Sequence, residues 1–248
     1  MLPPDLKLKI MNLLKKSIPN NIGVVEQSIP VPFFGDIEKS FCATIGINPS
    51  DKEFLGANKQ LLIGNKKRFV DRQALKVADN DCLNDVQADM VYQSLIEYFY
   101  NKDNVYKTWF CWTEYFVGDL FNSSYYKGTM VNLDIYPWAT KTKWAKIGKD
   151  TKQSLLQSYD LLRDILLYKN KLFDYVYING ETVKKQLESV LNITISEIRK
   201  ISIHGKTHSL YKYVLPNGCV LIGNSFYLQQ ALNNEDRNTL KQQTKSIM

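Results

Sequence analysis

The 248-residue chain holds two histidines and four cysteines, at positions 42, 82, 111 and 219, with no Cys-x-x-Cys pair among them. Ligands so few and scattered argue against a zinc cluster, and the cysteine spacing argues equally against a disulfide framework. No segment approaches the roughly 18 uninterrupted apolar residues of a membrane-spanning helix. The opening residues Met1-Leu2-Pro3-Pro4-Asp5-Leu6-Lys7 lack an apolar core and a small-residue cleavage site, so a secretory leader is not expected. No Gly-x-Ser-x-Gly elbow occurs, and no Gly-x-Gly-x-x-Gly opens a helix, which removes the usual support for serine-hydrolase, kinase and dehydrogenase readings. Gly205-Lys206-Thr207 lacks the glycine five residues earlier that a phosphate loop needs, because Lys200 stands there. His204 and His208 are four apart without the intervening glutamate of a metalloprotease or an evident third ligand, and read as surface or backbone-contacting residues. The chain reads as a soluble, cytoplasmic protein.

What is present is a composition able to build a core, 44% hydrophobic and 23% charged, at a length that suits one large α/β domain or two small ones. Lys and Arg number 32 against 25 Asp and Glu, a net charge of +7. Such a surface attracts phosphate backbones, but a Lys- and Asn-rich composition from an AT-rich genome produces the same balance. The charge becomes informative only beside an independent feature.

Apolar residues at 6, 10, 13, 14 and 18 predict an amphipathic helix over Leu6 to Ile18, stopped by Pro19. Phe41 to Ile45, halted at Gly46, reads as a buried parallel strand, Met130 to Tyr136 as a second and Asp174 to Ile178 as a third. Helical spacing predicts helices over Asp85 to Tyr100, Gln153 to Leu167, Thr182 to Leu191 and Gln229 to Lys241, with a frayed tail after the last. The aromatics Tyr106, Trp109, Phe110, Trp112, Tyr115 and Phe116 read chiefly as helix core. Ile198 to Ile203, Tyr211 to Leu215 and Cys219 to Ile222 are strand-like, with Pro216-Asn217-Gly218 as a hairpin turn. This alternation predicts a single three-layer α/β/α domain around a central, mostly parallel sheet. In such sheets ligands bind beyond the carboxyl ends of the strands. That directs attention to Gly46-Ile47-Asn48-Pro49-Ser50, Asn132-Leu133-Asp134-Ile135 and Gly223-Asn224-Ser225-Phe226-Tyr227-Leu228.

Ala43-Thr44-Ile45-Gly46-Ile47-Asn48-Pro49-Ser50 closely resembles the first active-site motif of the uracil-DNA glycosylase superfamily. The form Gly-Ile-Asn-Pro is similar to the mismatch-specific uracil and thymine branch, and the flanking Pro32-Phe33-Phe34-Gly35-Asp36 and Asp51-Lys52-Glu53-Phe54 to uncharacterised bacterial members. Asn132-Leu133-Asp134-Ile135-Tyr136-Pro137-Trp138-Ala139-Thr140 fits the family's middle strand, Tyr175 to Gly180 the third, and Val220 to Leu228 the place of the second motif. There the chain departs from the family, for Gly223-Asn224-Ser225 lacks both the His and the Pro of that motif. The resemblance covers most of residues 30 to 235 in order, which marks 1–29 as a helical extension and 30–235 as the core of one domain over 1–248.

The resemblance implies a monofunctional DNA glycosylase hydrolysing the N-glycosidic bond of a flipped uracil or modified pyrimidine, in base-excision repair or in defence against phage with modified bases. Asn48 is then the water-positioning catalytic residue. A neutral amide orients water but is no strong base, which implies a slow enzyme. Asn132 reads the pyrimidine edge; Asp134, on the same strand face, orients it or pairs with a basic residue; Phe54 stacks on the flipped ring or belongs to the core; Ile47 and Ser50 flank the water site. Asn224 and Ser225 belong to the DNA-binding loop, Ser225 as the phosphate contact, with Leu228 or Tyr227 as the wedge that fills the vacated stack. The reading carries DNA as partner, no membrane, no metal or other cofactor, and a monomer. The alternative is a DNA-binding protein that retains the glycosylase fold with weak or no turnover.

Overall fold

β2 (Cys42–Gly46), β3 (Met130–Asp134), β4 (Tyr175–Asn179) and β7 (Val220–Asn224) are short and almost wholly buried. Runs of this kind suit strands covered on both faces, and the four pair in parallel in the order β3-β2-β4-β7. The structure is a computed structural model that describes residues 2–19, 23–100, 104–155, 159–203, 205–229 and 233–248. Its seven-stranded sheet is completed by antiparallel edges. β1 (Phe33–Phe34) lies beside β3, while β6 (Lys206–Val214) and then β5 (Ser196–Ile203) extend the sheet beyond β7. The turn expected at Pro216-Asn217-Gly218 joins β6 to β7: Gly218 takes φ +85°, and Leu215 N donates to Cys219 O at 2.8 Å.

The helices are α1 (Pro4–Leu14), α2 (Arg72–Leu75), α3 (Asp85–Ile96), α4 (Lys107–Phe121), α5 (Lys149–Leu155), α6 (Tyr159–Leu166), α7 (Glu181–Leu191) and α8 (Asn234–Lys245). α1 packs on α3 and α6, and α6 on α7, which lies against β4; α4 packs on α8, which reaches β5 and β7. The result is the three-layer α/β/α arrangement that the strand–helix alternation predicts. None of these helices is long and apolar enough to cross a membrane.

Several boundaries differ from the sequence-based expectation. α1 starts at Pro4 and ends at Leu14, with Leu6, Ile10, Leu13 and Leu14 buried in the common core, and beyond it Val25 N donates to Ala139 O at 2.9 Å. The helix expected over 153–167 is described as two, α5 and α6; residues 156–158 lie outside the described residues, as do the side chains of Leu155 and Tyr159. The last helix begins at Asn234 under an Asn233 cap and runs to Lys245, residues 230–232 lying outside the description. Its tail does not fray: Ile247 is buried, and Lys212 Nζ donates to the Met248 carbonyl. In α4 the aromatics divide. Phe110 and Phe116 enter the core, whereas Trp112 and Tyr115 stay exposed under Arg237 and Lys241 of α8, at 3.5 and 4.5 Å from the ring centres.

Candidate active site

β2 and β3 run side by side with Thr44 opposite Asn132 and Gly46 opposite Asp134. Polar groups buried at the end of an apolar sheet must satisfy one another. Thr44 Oγ1 donates to Asn132 Oδ1 at 2.9 Å and lies 2.5 Å from the Tyr125 hydroxyl, while Asn132 Nδ2 donates to Asp134 Oδ1 at 3.1 Å. The chain Thr44–Asn132–Asp134 therefore fixes both side chains, as their alternation on one strand face predicts. Burial pushes the Asp134 carboxyl well above the usual carboxylate range, against the pull of the Asn132 hydrogen bond, and the charge of Glu53 pushes in the same direction. Asp134 has no cation in contact among the described residues, so it is not the ion-pair partner considered from the sequence. The same burial favours its protonated form, which can donate as well as accept.

The loop leaving β2 supplies the facing wall. Asn48 Nδ2 donates to Pro49 O at 3.1 Å, Trp138 O at 3.2 Å and Thr140 Oγ1 at 3.1 Å. These acceptors fix the amide plane, and Oδ1 takes no hydrogen bond among the described residues. Ser50 Oγ accepts from Lys52 N at 3.2 Å and caps a single 3₁₀ turn, Asp51–Glu53. That turn carries Glu53 inward, where its Oε2 accepts from the Tyr98 hydroxyl at 2.8 Å and lies 3.8 Å from the Arg68 guanidinium. Burial pushes Glu53 up to about 7, against the opposing pull of Arg68 and Tyr98.

Asn48, Pro49, Ser50, Glu53, Asn132 and Asp134 line one cleft of about 340 Å³, closed by the rings of Phe34, Tyr106, Trp109, Phe110 and Tyr227 and by Lys143. A few convergent polar groups within aromatic walls suit a planar, heteroatom-bearing ligand. Of the residues singled out from the sequence, the structure brings Asn48, Ser50, Asn132, Asp134 and Tyr227 together here.

The others stand elsewhere. Phe54 is buried against Phe69, ring centres 5.7 Å apart, and faces the core rather than the cleft. Ile47 is half-buried and accepts from Tyr136 N at 2.9 Å through its carbonyl, a backbone tie between the two strand exits. Asn224 is fully buried with Nδ2 on the Tyr177 hydroxyl, so its side chain is no surface DNA contact. Leu228 is buried, its N–H held by Asn179 Oδ1 at 2.9 Å, while Tyr227 is half-buried and edge-on to Trp109. Ser225 is half-buried and outside the cleft lining, its Oγ accepting from Ser209 N at 2.9 Å.

Two features escaped sequence reasoning. His208 on β6 lies 3.4 Å from Ser225 Oγ through Nδ1, its pKa lowered by burial and by Lys206. A histidine thus stands beside Ser225, though not within the cleft lining; His204 lies outside the described residues. Glu53 is the other. Its available signal was Ser50-Asp51-Lys52-Glu53, a capping-box pattern that predicts a helical turn, although here the glutamate turns to Tyr98 instead of back to the cap. No family model matches the chain, and no curated protein matches its sequence.

Proposed function

We propose that the chain is a DNA glycosylase that hydrolyses the N-glycosidic bond of a flipped uracil or modified pyrimidine and leaves an abasic site. The observation that carries this reading is the convergence of Asn48, Asn132 and Asp134 in one aromatic-walled cleft at the exits of β2 and β3. The resemblance of Gly46-Ile47-Asn48-Pro49 to the superfamily's first motif supports it, as does the net charge of +7.

Breaking the bond places positive charge on the sugar and negative charge on the departing base, so donors fixed near the base and a fixed water near the sugar lower the barrier. The held amide of Asn48 presents Oδ1 to orient that water. Asn132 presents N–H to the base edge, and Asp134, whose burial favours the protonated form, presents O–H and in that form has a proton to give the base as it leaves. Phe34, Phe110 and Trp109 give the extruded ring faces and edges to pack on.

The test is alkali-labile strand breakage in oligonucleotides that each carry one uracil, one mispaired thymine or one 5-substituted pyrimidine. Breaks at one of these positions, absent from unmodified DNA, are expected. DNA binding without breaks across the whole panel would replace this reading with that of a DNA-binding protein retaining the fold.

A further inference from the structure

An amide at position 48 orients water but cannot take its proton, and a carboxylate in the same cleft can. We propose that Glu53 is the general base of the reaction, accepting through Oε1 the proton of the water that Asn48 orients. This rests on the glycosylase reading of the cleft.

Three observations carry it. Glu53 lines the cleft with Asn48 and Asp134 although it is almost wholly buried. Its Oε2 is held by Tyr98, which fixes the carboxylate plane, whereas Oε1 takes no hydrogen bond among the described residues. The 3₁₀ turn capped by Ser50 follows directly from the Asn48 loop, so one rigid segment carries the water-orienting amide and the carboxylate. The groups facing Glu53 are Tyr98 beyond α3, Arg68 on the following loop and Asp134 at the end of β3; Tyr106, Tyr227 and Lys143 also line the cleft. Burial outweighs the pull of Arg68 and places its titration at about 7. A base titrating near working pH is matched to proton transfer.

The protons balance. The water oxygen bonds to the sugar C1′ as the C1′–N bond breaks, and that bond's electron pair leaves with the base. One proton of the water passes to Glu53, and the proton of Asp134 passes to the departing base. Glu53 then returns its proton to Asp134, which restores both groups and leaves abasic DNA and the free base. Two carboxyls of unequal affinity, the weaker acid starting protonated and the stronger ionised, are what this exchange requires.

The experiment is single-turnover base release from an oligonucleotide the native chain cleaves, from about pH 5 to 9, with Glu53→Gln and Tyr98→Phe alongside and thermal melts as a check of folding. Native release rises with pH through the Glu53 titration. Glu53→Gln loses about 10²-fold or more at the plateau and flattens that rise. Tyr98→Phe removes a donor that favours the carboxylate and moves the midpoint upward, an effect that a purely structural role would not produce. A Glu53→Gln rate equal to the native one, or a Tyr98→Phe midpoint that does not move, overturns the role of Glu53 and leaves the glycosylase reading standing, because base is still released. Absence of release by the native chain on every substrate overturns both.

Discussion

A methyl group on Gly46 would stand 2.1 Å from Asp134 Oδ1 and 3.4 Å from Asn132 Nδ2. The carboxyl at the end of β3 therefore occupies space that only glycine leaves open at the end of β2. Gly46→Ala should displace Asp134 and break the Thr44–Asn132–Asp134 chain. Overpacking at such a site costs about 1–3 kcal/mol. The expected outcome is a lowered melting temperature together with loss of base release well beyond what the lost stability explains. An alanine variant with native release would show that the position of Asp134 is immaterial to the chemistry.

Glu53 and Asp134 also set the sign of a pH dependence in stability. Both hold their protons more tightly in the folded chain than unfolded, with burial as the leading cause. Below the usual carboxylate range both states are protonated and the contribution is complete. As pH rises through that range and on through about 7 for Glu53, the unfolded chain ionises first and stability falls. For Glu53 the loss is on the order of 3 kcal/mol, and Asp134 adds its own loss in the same direction. Urea unfolding at about pH 5 and 8 should show Asp134→Asn gaining on the native chain at the higher pH. A gap between the two proteins that stays constant with pH would mean that Asp134 is ionised in the fold.

The surroundings of Asn48 predict the effect of placing a carboxylate there. Its Nδ2 points at two carbonyl oxygens, of Pro49 and Trp138, as well as at Thr140 Oγ1. Asn48→Asp would set a carboxylate oxygen against those carbonyls and lose the bonds that fix the group. Single-turnover release by Asn48→Asp should therefore fall about tenfold or more below native, as Asn48→Ala should by about 10²-fold. An aspartate variant faster than the native chain would show that the site lacks only a base at position 48, and would count against Glu53 as well.

Much of this was legible in the sequence because the central strands are nearly unbroken apolar runs whose ends are marked by Gly46, Asp134 and Asn224. The period-two alternation placed Asn132 beside Asp134. What was not legible depends on pairings between distant segments. His208 meets Ser225 only through the β6–β7 pairing, and nothing local to either residue encodes that register. Glu53 acquires its inward position from the Tyr98 hydroxyl and the Ser50 cap, and Tyr98 lies 45 residues away in the chain. Phe54 and Phe69 belong to one aromatic cluster with Phe34 and Tyr98, so Phe54 went to the core when proximity to the motif suggested the ligand.

The loop after β7 yields the last prediction, because the structure separates the two wedge candidates. Leu228 is buried, with its N–H bonded to Asn179, so Leu228→Ala creates a cavity and should cost about 2–5 kcal/mol. Tyr227 instead reaches the rim of the cleft, beside Trp109. A ring at the rim that enters the helix as a base leaves is worth most where neighbouring pairs would otherwise close the gap. Unstacking and unpairing cost a few kcal/mol in a matched duplex and least in a single strand. Tyr227→Ala should therefore slow release from a matched duplex far more than from a mismatched or single-stranded version of the same substrate, with little change in melting temperature. Leu228→Ala should lower the melting temperature and reduce release from all three alike. Single-turnover rates for both variants on the three substrates separate these outcomes. A duplex-selective loss in Leu228→Ala, with Tyr227→Ala uniform, would reverse the assignment and require the loop to open on binding DNA.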